Sequence, residues 1–205
     1  MNDLFLFDVD STLINQEVIE LIAAHAGVQE EVKAITDRAM AGELDFSESL
    51  KERVRLLSGL SESVLIEVCQ DITLTEGAEE LISTLLAMGN HVGVVSGGFV
   101  EVIEPLMKKL NISNYRANNF EIENGKLTGR VAGQVIDRKF KADFLNELKE
   151  KTGAKRTFAI GDGANDIDMV QAADFGIAFC AKPALNDVAD IVILKRDLRE
   201  VLNYL

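Results

Sequence analysis

Short apolar runs alternate with helical stretches along most of this 205-residue chain. Apolar runs of a few residues, bounded by polar ones, are typical of strands buried on both faces of a parallel sheet. Such runs predict strands at residues 4–7, 91–96, 115–120, 157–160, 175–179 and 190–194. Helices are expected between them, at 76–88, 99–110, 139–151, 167–173 and 198–205. This alternation predicts an α/β fold with a doubly wound parallel sheet.

Residues 13–74 lack strand signals and predict helices instead. Apolar positions at helical spacing, with Gly27, Gly42 and Gly59 as stops, predict helices at 15–26, 29–41, 47–57 and 61–70. We therefore divide the chain into a core domain, residues 1–12 and 75–205, and an inserted helical lobe, residues 13–74. Asn124-Gly125 predicts a small β-hairpin with a type I′ turn. Pro105 is expected to kink or restart the helix at 99–110.

The composition and charge of the chain argue against several classes of function. The net charge of −13, from 21 basic and 34 acidic residues, argues against binding to nucleic acid, which needs clustered basic charge. No apolar run approaches the roughly 20 residues of a membrane span, and the N-terminal run is too short for a secretory signal. Cys69 and Cys180 favour free thiols in a cytoplasmic protein. Only two histidines are present, which disfavours a histidine metal site or a Ser-His-Asp triad.

Three predicted strands end in polar residues at the edge of the sheet where ligands bind in open α/β folds. The first runs into DVDST (residues 8–12), the second into SGG (96–98) and another into GDGAND (161–166). Asp8 and Asp10 are two apart in an extended segment and so face the same side. Two carboxylates that close need a cation or a shared proton. Taken alone, however, a DVDST segment is more typical of a turn or helix cap.

The other strand ends suggest how that repulsion is relieved. The oxygen-rich GDGAND segment suits Mg²⁺, and Asp162 with Asp8 would supply carboxylates from two strands. A hydroxyl followed by glycines, at what we expect to be a helix N-terminus, suits an oxyanion. A phosphoryl site also needs a fixed positive charge, for which Lys139 and Lys141 are both candidates.

Four segments of the chain together resemble the four motifs of the haloacid dehalogenase superfamily, and within it the phosphoserine phosphatase family. They are DVDST, SGG, a lysine before the last loop, and GDGAND. The resemblance covers essentially the whole chain. It implies a Rossmann-like core with a helical cap over the site. It also implies Mg²⁺-dependent hydrolysis of O-phospho-L-serine through an aspartyl phosphate, the last step of serine synthesis, in a monomer or homodimer.

Two alternatives remain open. One is a phosphatase or phosphotransferase for another small phosphomonoester, for example with homoserine as acceptor. The other is a non-catalytic phosphoserine-binding protein on the same fold.

The resemblance also implies a role for each matching residue. Asp8 would be the nucleophile and Asp10 the general acid and base. The Mg²⁺ ligands would be Asp8, the backbone carbonyl of Asp10, and Asp162. The phosphate would be held by Ser96, the Gly97 N–H, Lys141 and Asn165, with Lys141 matching the family position better than Lys139.

Residues of the lobe would recognise the rest of the substrate. Phe46, Leu50, Arg53 and Leu57 share one helix face, so Arg53 interrupts an apolar stripe. Such an arginine either reaches out to nearby glutamates or needs an anionic partner, and the resemblance implies the substrate carboxylate. Glu17, expected in the first turn of its helix, matches the position that binds the ammonium group. The alternative interpretation of Glu17 is a surface glutamate that the helix dipole favours.

Overall fold

A seven-stranded sheet forms the centre of the computed structural model. The structure describes residues 2–40 and 43–205, and of Met40 it describes the backbone alone. The strands are β1 Leu4–Phe7, β2 His91–Phe99, β3 Asn114–Glu123, β4 Lys126–Ala132, β5 Thr157–Gly161, β6 Phe175–Phe179 and β7 Ile191–Ile193. Their spatial order is β4-β3-β2-β1-β5-β6-β7, and only the β3–β4 pair is antiparallel. This confirms the predicted α/β class.

Strand β1 is central because all four of its side chains are apolar and buried. Phe5 and Phe7 pack into the hydrophobic cluster on one face of the sheet, whereas Leu4 and Leu6 pack into the cluster on the other. This alternation is the two-residue period of a strand buried on both sides. Strands β2 and β5 pair with β1 in parallel. The carboxyl ends of the three strands therefore meet at one edge.

Nine α-helices are found in the described part of the chain, and they cover the sheet and build the lobe. They are α1 Val18–Ala26, α2 Gln29–Met40, α3 Phe46–Leu56, α4 Ser63–Asp71, α5 Ala78–Ala87, α6 Val100–Lys109, α7 Arg138–Thr152, α8 Ile167–Ala172 and α9 Pro183–Asn186. The predicted end of the second helix at Ala41 and its stop at Gly42 lie outside the described residues. No helix within the described ranges has the length and apolar character needed to cross a membrane.

Helices α1–α4 lie between β1 and α5, as expected for an inserted lobe. The two chain segments that enter and leave the lobe pair through an isolated bridge between Ile14 and Leu74. A second attachment lies at the β3–β4 hairpin, where the Gly59 N–H donates to the Leu127 carbonyl at 2.8 Å. These backbone contacts tie the lobe to the core at its base and at the hairpin. The exact division at residues 13–74 stays a prediction.

The predicted helices differ from the structure in some details. The first helix begins at Val18 rather than Asn15, because the Asn15 N–H donates to the Thr73 carbonyl (3.0 Å) and Glu17 is extended. Helix α6 continues through Pro105 without the restart that was one of the two expected effects. The last segment, Leu198–Tyr204, is helical as predicted and is of the 3₁₀ type.

The hairpin prediction is confirmed. Asn124 and Gly125 both have positive φ, 50° and 73°, as a type I′ turn requires.

Candidate active site

The chain leaves β1 through an irregular five-residue turn, Val9–Leu13. Asp8 is extended, Asp10 is non-helical and Ser11 has a φ of 55°, a left-handed conformation that costs a serine roughly 1–2 kcal/mol. Backbone strain of this kind persists where surrounding contacts enforce it, often at functional sites. The Ser11 N–H donates to the Gln16 carbonyl, which holds the turn. Asp8 and Asp10 both line the cavity beside it.

Strand β2 bulges beside this turn. Val95 lies opposite Arg116 and Phe99 opposite Asn118, so the SGG segment (96–98) faces a single residue of β3. The expectation that SGG opens a helix is therefore wrong, because β2 extends to Phe99 and α6 begins at Val100. A bulge re-aims backbone groups that the ladder would otherwise use. This one presents Gly97 and Gly98 to the cavity.

A buried carboxylate cluster lies where β1 and β5 end. Asp8, Asp162 and Asp166 each bring an oxygen within 4.8 Å of the others, and all three are buried. The Lys141 ammonium lies 2.9 Å from Asp8 Oδ1 and 2.7 Å from Asp166 Oδ1, and the lysine is fully buried. One ammonium therefore faces three carboxylates.

The single positive charge of Lys141 does not balance the buried carboxylates of this cluster. Burial, followed by the charge of Asp166, raises the pKa of Asp8 to about 7 although Lys141 opposes the shift. Burial and the charges of Asp166 and Asp8 raise the pKa of Asp162 well above its usual range. Burial lowers the pKa of Lys141, but its two carboxylate neighbours raise it on balance. The ionised cluster is thus unfavourable without further positive charge.

The donor set fits Mg²⁺, which prefers oxygen ligands. Both oxygens of Asp166 already have protein donors, since Oδ1 meets Lys141 and Oδ2 accepts the N–H groups of Asp162 (3.1 Å) and Gly163 (3.3 Å). The carboxylate of Asp162 accepts no hydrogen bond from the described residues. Within this cluster, Asp8 and Asp162 are therefore the residues with carboxylate oxygens left for a metal.

Asp10 sits in a different environment. Its Oδ2 accepts the Val18 N–H at 3.2 Å, while its Oδ1 is buried without a hydrogen-bond partner among the described residues. Burial, then the charges of Glu17 and Asp8, raises the pKa of Asp10 well above its usual range. The raised pKa favours the protonated form of this carboxyl. Gly98 lies close by, since a Cβ there would be 3.5 Å from Asp10 Oδ1.

A cavity of about 380 Å³ joins these groups to the helical lobe. From the core it is lined by Asp8, Asp10, Gly97, Gly98, Asp162 and Asn165, and from the lobe by Glu17, Thr36, Phe46, Leu50 and Arg53, among others. Phe46 touches the bulge closely, because a Cβ on Gly97 would lie 2.8 Å from its Cζ. The lobe therefore forms a roof over the strand ends.

Arg53 is a buried cation without an ion pair among the described residues. Only 6% of it is exposed, its Nε donates to the Ser49 carbonyl (3.3 Å) and its Nη1 donates to Thr36 Oγ1 (3.1 Å). Burial lowers the pKa of Arg53, and the nearby Glu17 and Asp10 charges oppose that shift. Arginine stays protonated in proteins. The guanidinium therefore offers its remaining N–H groups to an anion in the cavity.

Glu17 lines the same cavity as Arg53. Its Oε1 accepts the Ser11 hydroxyl at 2.7 Å, and burial raises the pKa of Glu17. Glu17 precedes α1 rather than lying in its first turn as expected. The lobe thus supplies one cationic and one acidic group to the cavity.

Comparison with known proteins identifies the family. A model of haloacid dehalogenase-like hydrolases matches residues 5–171, and a second model of the same description matches residues 139–205. The chain belongs to the haloacid dehalogenase-like hydrolase family.

Relatives within this family are similar over nearly the whole chain. A phosphoserine phosphatase of Mycobacterium tuberculosis, SerB2, is 52% identical over 189 residues, 91% of this chain but 46% of that protein. The chain thus spans about half the length of that relative. A phosphoserine phosphatase of Lactococcus lactis is 47% identical over 203 residues, 98% of this chain and 94% of that protein. A solved substrate-bound phosphoserine phosphatase complex is 47% identical with a TM-score of 0.97, covering 100% of this chain and 99% of that one.

The haloacid dehalogenase-like fold brings most of the sequence-predicted residues to one cavity. Its lining includes Asp8, Asp10, Glu17, Arg53, Gly97, Asp162 and Asn165. Ser96 and Lys141 are fully buried behind this lining rather than on it, whereas Lys139 lies on it. Lys141 nevertheless contacts Asp8 directly. Family hydrolases generally use Mg²⁺, and the buried carboxylates could hold such an ion.

Two polar residues of the site were missed from the sequence. Thr36 accepts a hydrogen bond from Arg53, and Asn118 bonds the bulge at Gly97. Both are buried, at 5% and 0% exposed. An asparagine inside a predicted strand was the available signal for Asn118, because a buried amide needs partners.

Proposed function

We propose that this protein is a Mg²⁺-dependent phosphatase that hydrolyses O-phospho-L-serine to L-serine and phosphate. The observation that carries the proposal is the division of one cavity between two sets of groups. Asp8, Asp10 and Asp162 lie at the strand ends, and Arg53 and Glu17 lie on the lobe. The first set suits a phosphate ester. The second suits the carboxylate and ammonium of an amino acid, and relatives named phosphoserine phosphatase support this substrate.

We assign the two transfers to Asp8 and Asp10. An oxygen of Asp8 attacks phosphorus, the bond from phosphorus to the serine oxygen breaks, and Asp10 gives that oxygen its proton. Water then attacks the phosphorus of the aspartyl phosphate, Asp10 takes a proton from the water, and the bond to Asp8 breaks. The raised pKa of Asp10 supports its role as the acid of the first transfer.

Mg²⁺ would be held by Asp8, Asp162 and the backbone carbonyl of Asp10. When bound, it supplies charge neutralisation for the phosphoryl oxygens and favours the ionised form of Asp8. Asp166 would keep Lys141 in place through their 2.7 Å contact.

The phosphate oxygens would be held by the Ser96 hydroxyl, the Gly97 N–H, Lys141 and Asn165. Ser96 Oγ accepts the Gly98 N–H at 2.8 Å and donates to no acceptor among the described residues. Its proton is therefore available to an anion. Asn165 lines the cavity, and its Nδ2 would be the atom that donates to the phosphate.

Arg53 would bind the substrate carboxylate and Glu17 its ammonium group. Arg53 suits this role because two protein acceptors fix its guanidinium while no carboxylate among the described residues neutralises it. A fixed, unpaired arginine is suited to bidentate contact with a carboxylate.

The test is phosphate release from O-phospho-L-serine by the purified protein with Mg²⁺, with EDTA, and after Asp8→Asn. We expect turnover only for the unmodified protein with Mg²⁺. A panel with p-nitrophenyl phosphate and other small phosphomonoesters, and homoserine as an added acceptor, tests specificity. Turnover that survives EDTA or Asp8→Asn contradicts the mechanism. Preference for another ester, or transfer to homoserine, contradicts the assigned reaction, and tight phosphoserine binding without turnover contradicts an enzymatic function.

We further propose that the chain consists of a core, residues 1–12 and 75–205, and a lobe, residues 13–74. We also propose that the protein is cytoplasmic and is a monomer or a homodimer. Support for the location is that Cys69 and Cys180 are both free.

A further inference from the structure

Asn118 is a fully buried polar residue on β3, paired with Phe99 at the end of the β2 bulge. Its side chain lies behind the cavity and does not line it. An asparagine without exposure must find partners for both ends of its amide, since unpaired buried polar groups are costly. Both ends are paired here.

The amide links two segments that are far apart in sequence. Its Nδ2 donates to the Gly97 carbonyl at 2.8 Å, and its Oδ1 accepts the Ile136 N–H at 2.9 Å. The opposite orientation of the amide would place an oxygen against the Gly97 oxygen and an NH₂ group against an N–H. The partners therefore fix which end of the amide faces the bulge.

The contact with Gly97 restrains one peptide group from both sides. The carbonyl of the Gly97–Gly98 peptide is held by Asn118, and its N–H donates to Ser96 Oγ at 2.8 Å. Because Ser96 Oγ accepts that bond, its own proton points elsewhere. Glycines have no Cβ to limit their conformation, so an external bond is needed to hold this segment in one geometry.

The contact with Ile136 reaches the other side of the site. Ile136 directly precedes Asp137, whose Oδ1 accepts the Phe140 N–H at 2.8 Å and caps α7. Helix α7 carries Lys141, which contacts Asp8. One buried amide therefore joins the bulge that carries Ser96 to the helix that carries Lys141.

We propose that Asn118 is a positioning residue that fixes the Gly97–Gly98 peptide, and with it the Ser96 hydroxyl, for phosphate binding. This inference rests on the proposed function, in which Ser96 and Gly97 hold the phosphate. Asn118 acts only through these groups and touches no substrate.

The test compares Asn118→Leu and Asn118→Asp with the unmodified protein over a range of pH. Leucine has a similar size but no donor or acceptor. We expect it to lower kcat/KM by about 10- to 100-fold, as for other residues that orient ligand-binding groups. An ionised aspartate directs negative charge at the Gly97 carbonyl, whereas a protonated one donates to it and still accepts from Ile136. Burial raises the pKa of such a carboxyl.

The activity of Asn118→Asp relative to the unmodified protein should therefore rise as the pH falls, while the relative activity of Asn118→Leu stays constant. Asn119→Asp is the matched control, because Asn119 is the exposed next residue of β3 and its relative activity should not change with pH. Circular dichroism at each pH restricts the comparison to folded protein.

Three results would overturn the inference. They are an Asn118→Leu activity within about twofold of the unmodified protein, a flat pH ratio for Asn118→Asp, and an equal acid rise for Asn119→Asp. Should Asn118→Leu not fold, the Asn118→Asp ratio against its control decides alone. If the unmodified protein hydrolyses p-nitrophenyl phosphate but not phosphoserine, the proposed substrate fails, and the same ratios on p-nitrophenyl phosphate still test Asn118.

Discussion

Replacing Arg53 with methionine should separate substrate recognition from phosphoryl chemistry. Two guanidinium N–H groups are used by Ser49 and Thr36, which leaves three of the five for a ligand. Removing one partner of a buried charged pair costs about 2–4 kcal/mol, or about 30- to 900-fold in kcat/KM for phosphoserine. For p-nitrophenyl phosphate, which has no carboxylate, the loss should stay under about fivefold, equivalent to 1 kcal/mol.

The same substitution should not destabilise the fold. Arg53 is buried without an ion pair among the described residues, and methionine removes the cost of burying its charge. Thr36 stays satisfied because its hydroxyl donates to the Val32 carbonyl at 3.0 Å. The thermal midpoint should therefore be unchanged or higher.

The assay is steady-state phosphate release from both esters by Arg53→Met and by Arg55→Met, a control at an exposed arginine on the same helix. Equal losses on the two esters, or an equal loss in Arg55→Met, would refute the carboxylate contact.

Three further predictions concern other parts of the molecule. Thr36→Val should raise KM for phosphoserine about fivefold with little change in kcat, because one hydrogen bond of about 1 kcal/mol no longer restrains Arg53. A change in kcat without a change in KM would contradict this prediction. Added Mg²⁺ at 100 times its dissociation constant should stabilise the unmodified protein against thermal unfolding by about 2.7 kcal/mol. The same addition should stabilise Asp162→Asn far less. Equal stabilisation of the two proteins would exclude the Asp162 carboxylate as a ligand. Hydrogen bonds from Arg199 hold the pKa of Asp197 below its usual range, so the stability it provides is present above about pH 4 and is lost as the pH falls further. Urea unfolding of the unmodified protein and of Asp197→Asn should therefore differ at pH 6 and converge in acid, and a difference that grows in acid would reverse the sign.

Much of the site could be predicted because parallel strands align their carboxyl ends. Asp8 follows β1 and Asp162 follows β5, and these strands pair directly, so their carboxylates meet. The apolar run at 4–7 shows a strand buried on both faces without any knowledge of its neighbours. The family resemblance then assigned Arg53 and Glu17, which periodicity alone left open.

Other features depend on contacts between distant segments and leave little local signal. The bulge at 96–98 exists only relative to the register of β3, so the sequence predicted a helix start there. The start of α1 was placed too early because the Asn15 N–H pairs with the Thr73 carbonyl, across the base of the lobe. Thr36 lies on a different helix from Arg53, and helical spacing relates only residues of one helix.

The most direct test of the central claim is a rapid acid quench of the protein after mixing with phosphoserine and Mg²⁺, followed by intact mass and peptide mass analysis. The proposed mechanism predicts that part of the protein carries one added phosphoryl group on the peptide with Asp8, and that the unmodified mass returns when substrate is exhausted. Steady phosphate release without phosphoprotein at any quench time, or a phosphoryl group on another peptide, would contradict Asp8 as the nucleophile.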